Sequence, residues 1–84
     1  MNRWIAAFRE ALETLDRIGA ESIVNQARAA MTPIQVVDQV VVPALEQIGQ
    51  AWETGDVALS QVYMSGRICE ELVEQVLQIG RAHV

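Results

Sequence analysis

Few residues in this 84-residue sequence carry groups able to do chemistry, and their spacing narrows what that chemistry could be. The single histidine, His83, lies beside the C-terminus, where nothing fixes the orientation of its ring. No Glu-x-x-His pair occurs of the kind that builds metal sites inside helical bundles. Glu70, Glu71 and Glu74 fall within one helical stretch and read as a solvated face rather than as metal ligands. The single Cys69 has no histidine near it in sequence to activate it, and its helical position points to packing. It cannot form an internal disulfide, which fits a reducing compartment, and a cytoplasmic location is expected. The five glycines are scattered and form no phosphate-binding loop. These features argue against a catalytic chain.

The remaining candidate is the turn between the last two helical stretches, with Trp52 before it and Leu59 and Val62 after it. A tryptophan at a helix end, just ahead of a Gly-Asp turn, is ordinarily a partly buried core residue. In a second reading, Trp52 and Leu59 form one apolar lip over a flat ligand. Spacing does not choose between the two.

The elements that must position these residues are helical throughout. Trp4, Phe8, Leu12, Leu15 and Ile18 recur every three or four residues, with Arg9, Glu10, Glu13 and Asp16 between them. That pattern predicts a first helix running to Ile18, broken by Gly19. A shorter helix is expected from about Glu21, with Ile23, Val24, Ala27 and Met31 as its apolar face. Thr32-Pro33-Ile34-Gln35 has the residues of a capping box with proline in the first turn. The third helix carries Ile34, Val37, Val41, Leu45, Ile48 and Trp52 as one stripe, and Pro43 inside it requires a kink or a restart. Thr54-Gly55-Asp56 ends that segment.

A last helix is expected from Leu59 or Ser60 to about Ile79. Its apolar positions form two sets: Val62, Cys69, Val73 and Val76, and Ile68, Leu72 and Ile79. Two apolar sides predict two partners, one being the rest of the bundle. Residues 80–84 read as a frayed end or the start of a linker.

Composition agrees with one small domain over residues 1–84. Apolar residues make up 51% of the chain and aromatics 5%, so the core must be aliphatic. The net charge is −5 and all basic residues are arginines without a cluster, which argues against nucleic-acid binding. No stretch is long and apolar enough to predict a membrane span, and the N-terminus lacks the pattern of a signal peptide.

Val42-Pro43-Ala44-Leu45, followed by Ile48-Gly49-Gln50-Ala51-Trp52-Glu53-Thr54-Gly55-Asp56-Val57-Ala58-Leu59-Ser60-Gln61-Val62, resembles the helical cap module of cobalamin-binding methyl carriers. These include cobalamin-dependent methionine synthase and the corrinoid proteins for methanol and methylamines. The shared pattern is apolar-Pro-x-apolar, then apolar-Gly-x-x-aromatic, a Gly-acidic turn, and apolar-Leu-Pro-Gln/Glu-apolar. Ser60 stands where the family usually has proline, and both suit the first turn of a helix.

The resemblance implies an all-α four-helix bundle that shields the upper face of cobalamin during methyl transfer. It places Trp52 at the aromatic position over the corrin, Leu59 beside it and Val62 one turn on, with Tyr63 at the edge of the lip. The cobalamin photoreceptor regulators share the fold but carry a Glu-His pair where this chain has Val62 and Tyr63, a departure that favours the methyl-carrier branch. A regulator would also need a DNA-binding segment upstream of Met1.

The family's corrinoid-binding α/β domain, with its Asp-x-His-x-x-Gly lower ligand, should follow the cap and is not in this sequence. Tight cobalamin binding by this chain alone is therefore not expected. The implied partners are that domain and a methyltransferase subunit, with a homodimer expected from the uncovered apolar lip. The competing reading, a stand-alone helical dimerisation or interaction module without cofactor, remains open on the residues alone.

Overall fold

The computed structural model describes the backbone of residues 3–80, and side chains as far as residue 78. Within them the chain is all helical: α1 (Arg3–Glu13), α2 (Arg17–Arg28), α3 (Pro33–Val36), a π turn (Val37–Val41), α4 (Val42–Glu53) and α5 (Leu59–Gly80). From α3 to α4 the backbone stays helical, so the described chain forms four rods. The expected packing of Ile79, the frayed end and His83 lie outside the described side chains.

Helix α1 buries Phe8, Ala11 and Leu12, and it packs against α2, α4 and α5. It stops earlier than its apolar spacing predicts. The Leu15 amide donates to the Leu12 carbonyl at 3.0 Å and the Asp16 amide to the Ala11 carbonyl at 2.8 Å, the bond pair of a Schellman cap. The position that glycine ordinarily fills in such a cap is Leu15, with φ of 56°. Asp16 then caps α2 by accepting from the Gly19 amide at 2.9 Å.

The first helix therefore ends at Glu13 rather than Ile18, and α2 begins at Arg17 rather than near Glu21. Gly19 does not break a helix; it lies in the first turn of α2, where a Cβ would collide with the Asp16 carboxylate. Ile18 is 80% exposed.

Thr32 and Gln35 form the expected reciprocal cap, with the Gln35 amide donating to Thr32 Oγ1 at 3.2 Å and the Thr32 amide to Gln35 Oε1 at 2.9 Å. Pro43 is accommodated by the π turn that precedes it. There the Val42 amide reaches back five residues to the Val37 carbonyl, and the wider turn makes room ahead of a ring that has no N–H to donate. The additional residue shifts the buried face, which runs through Val36, Val40, Val41, Ala44, Ile48 and Ala51. The expected stripe is only partly kept: Val41 and Ile48 are buried, whereas Ile34 and Trp52 are exposed.

Helix α5 buries Ser65, Ile68, Cys69, Leu72 and Val76, with Val62 and Val73 half-buried against the same core. Both apolar sets, as far as their side chains are described, thus enter one core rather than facing two partners. The exposed apolar residues of α5 gather instead at its N-terminal end: Leu59, Tyr63 and Met64. Each fully buried large apolar side chain, such as Phe8, Leu12, Ile48 or Leu72, contributes about 1.5–3 kcal/mol. An aliphatic core of this kind suits a domain whose size limits how much surface it can bury.

Candidate cofactor-capping site

The turn between α4 and α5 is built from a second Schellman cap. The Gly55 amide donates to the Trp52 carbonyl at 3.0 Å and the Asp56 amide to the Ala51 carbonyl at 2.8 Å. Gly55 has φ of +85° with open space around it, so the glycine is required by its backbone conformation and not by a close approach. Thr54 Oγ1 donates to Asp56 Oδ2 at 2.9 Å within the turn, and Val57 is buried behind it. The chain thus leaves α4 one residue after Trp52 and re-enters a helix at Leu59.

The start of α5 is held by Gln61. The Ala58 amide donates to Gln61 Oε1 at 2.9 Å, and Gln61 Nε2 donates to the Glu13 carbonyl of α1 at 3.0 Å. One helical turn on, buried Ser65 donates from Oγ to the Leu12 carbonyl at 3.3 Å. Neither Gln61, which lies within the Pro43 to Val62 motif, nor Ser65 is among the residues expected at the site from sequence. The signal for Gln61 was a glutamine three residues after the helix-preceding position, half of a capping box. Its second bond, to a residue 48 positions away, had no local signature.

Of the four residues expected at the site, Leu59, Val62 and Tyr63 share the first turns of α5, at spacings of three and four that bring side chains to one side of a helix. Leu59 is 62% exposed and Tyr63 60%, while Val62 leans into the core. Trp52 occupies the last turn of α4 and is 47% exposed, so it is not a core residue.

Tyr63 also accepts a hydrogen bond from Arg67 Nη1 at 3.2 Å, which raises the guanidinium above its ordinary value. Beyond Tyr63 an open groove of about 370 Å³ runs towards Leu15 and Met64, edged by an ion pair between Arg17 and Glu71.

The arrangement offers exposed apolar surface and little chemistry. Cys69 is buried, and desolvation pushes its thiol up to about 12, away from any nucleophilic role. Among the described residues no group of three or more His, Cys, Asp and Glu side chains could hold a metal ion. No helix of the described residues is long and apolar enough to cross a membrane.

The family described as B12 binding domain matches residues 4–77 of the chain. The chain belongs to the B12 binding domain family. The match covers all four helical rods, so the resemblance carried by Pro43 to Val62 in sequence extends over nearly the whole fold. This B12 binding domain is 25% identical over 61 residues to the HTH-type transcriptional repressor CarH of Myxococcus xanthus, an overlap of 73% of this chain and 20% of that protein. The chain therefore spans a small part of the curated relative that it matches. No solved structure matches it significantly.

Trp52, Leu59 and Tyr63 present large, exposed, mainly apolar side chains suited to a flat macrocycle. None of the three carries an imidazole.

Proposed function

We propose that this B12 binding domain caps the upper face of cobalamin in a methyl-transferring corrinoid protein, with Trp52, Leu59, Val62 and Tyr63 as the lip over the corrin. The observation that carries the reading is the exposure of Trp52, Leu59 and Tyr63 on the two helix ends joined by one turn, in a chain of the B12 binding domain family. Cobalamin, when bound, supplies the cobalt–carbon bond from which a methyl group is transferred. The contribution of these residues is to exclude water and oxidant from that bond until the cap moves aside. The chain is then a non-catalytic module of a methyltransferase system. Its partners are a corrinoid-binding α/β domain that holds the cofactor from below and a methyltransferase subunit.

The experiment is Trp52→Ala in the cap joined to its cobalamin-loaded domain. The methylcobalamin form should be photolysed and oxidised several-fold faster, because the largest shield is gone. An unchanged lifetime would sink the role of Trp52 and with it the capping reading. Without the α/β domain the lip is free to meet a second copy of itself, and sedimentation should show a dimer at high concentration. A monomer across the whole range would count against self-association.

The similarity to a transcriptional repressor supports a second reading, in which the same cap serves a cobalamin-dependent regulator. Val62 and Tyr63 weigh towards the carrier, since the photoreceptor regulators described above have Glu-His at these positions. Cobalamin-dependent DNA binding by the whole protein would favour the regulator, and methyl transfer to an acceptor would favour the carrier.

A further inference from the structure

The last four carbonyls of any α-helix have no partner inside it, and in α1 each finds one elsewhere. Glu10, Ala11 and Leu12 receive the amides of Thr14, Asp16 and Leu15. The Glu13 carbonyl is satisfied from across the bundle, by Gln61 Nε2 at 3.0 Å. The same side chain takes the Ala58 amide on Oε1 at 2.9 Å, immediately before the first turn of α5. That turn carries Leu59, Val62 and Tyr63. One amide group therefore ties the end of α1 to the start of the helix that presents the lip.

We propose that Gln61 is a positioning residue for the cobalamin lip: by donating to the Glu13 carbonyl, from a side chain that also caps Ala58, it fixes the first turn of α5 relative to α1. The proposal rests on the capping function given above. Its physical basis is that Leu59 and Tyr63 are largely exposed, so packing does little to fix the turn they share. Packing comes from buried Val57 just ahead of the helix and half-buried Val62, and buried Ser65 adds one hydrogen bond a turn later. The two bonds of Gln61 supply a rigid link where the apolar contacts are few. A lip of fixed geometry can cover a corrin, whereas a fraying one admits water.

The roles of the two bonds separate by substitution. Gln61→Glu retains an acceptor for the Ala58 amide and sets a carboxylate against the Glu13 carbonyl. Gln61→Lys retains a donor for Glu13 and loses the acceptor. Hydrogen exchange at the amides of Val62, Tyr63 and Met64 reports the first turns of α5 directly. In Gln61→Glu it should speed up about tenfold, the effect of losing one such bond. In Gln61→Lys it should stay within about twofold of the parent, since the anchor to α1 is kept and the exposed Ala58 amide turns to water instead.

In the cap joined to its cobalamin-loaded domain, Gln61→Glu should also shorten the methylcobalamin lifetime and Gln61→Lys should restore it. Equal exchange in Gln61→Glu and the parent, or equal loosening in both variants, would overturn the proposal. If Gln61→Glu fails to fold, Gln61→Met, which matches the length and loses both bonds, takes its place with the same outcomes. Trp52→Ala separates this result from the capping reading. If Trp52→Ala shortens the lifetime and Gln61→Glu does not, Gln61 has no positioning role. If Trp52→Ala leaves the lifetime unchanged, the capping reading falls, whatever the exchange shows.

Discussion

Ser65, in the middle of the bundle, donates from Oγ to the main-chain carbonyl of Leu12 at 3.3 Å, and both residues are fully buried. It is the single buried polar side chain among the described residues, and the bond crosses from α5 to the C-terminal turn of α1. Because the Leu12 carbonyl also receives the Leu15 amide, removing the hydroxyl does not orphan it. Ser65→Ala should therefore cost only about 1 kcal/mol, the low end for a buried hydrogen bond. Urea unfolding with an unchanged slope and a lower midpoint is the expected result. A loss of several kcal/mol would mean that Ser65 does more than bridge two helices.

Leu15 and Gly55 occupy equivalent places in two Schellman caps, at φ of 56° and 85°. Opposite substitutions should have opposite signs. Gly55→Ala forces a Cβ into the left-handed region and should destabilise by about 1 kcal/mol, although nothing crowds the site. Leu15→Gly relieves that same conformation, loses a half-exposed side chain and gains unfolded-state entropy, for a net stabilisation of about 0.5 kcal/mol. Thermal unfolding of the two variants checks both signs. A destabilised Leu15→Gly would show that Leu15 is held by contacts worth more than its backbone strain.

Cys69 gives a pH dependence of known direction. Burial raises its thiol from 9.0 to about 12 in the folded chain. Between those values the unfolded state has lost the proton and the native state keeps it, so stability falls as pH rises. The contribution is fully present below about pH 9 and declines through the folded value, with a limiting slope of about 1.4 kcal/mol per pH unit. Cys69→Ala should remove that dependence while leaving a small cavity. Alkylation of the thiol should require opening of the chain and be far slower than that of a free thiol at the same pH.

Local chemistry was legible in the sequence wherever a signal and its effect lie within one turn of each other. The Thr32–Gln35 box, the glycine of the Gly55 turn and the start of α5 follow from side-chain and backbone groups a few residues apart. The all-helical class followed from apolar spacing, and the family resemblance followed from Pro43 to Val62. The end of α1 was not legible, because leucine gives no local sign of a left-handed cap. Spacing alone therefore continued the helix through Ile18.

Only the tertiary structure decided how Pro43 is tolerated and on which side of the core boundary Trp52 lies. Residues on a helix advance by about 100° each, so burial through Ala44, Ile48 and Ala51 turns Trp52 towards solvent at the edge of that face. Periodicity could place Trp52 near the core boundary but not on a particular side of it. The π turn of Val37–Val41 puts the residues before Pro43 out of step with those after it. The fastening of α5 to α1 is non-local: Gln61 and Glu13 are 48 residues apart, and only folding brings the donor to the carbonyl.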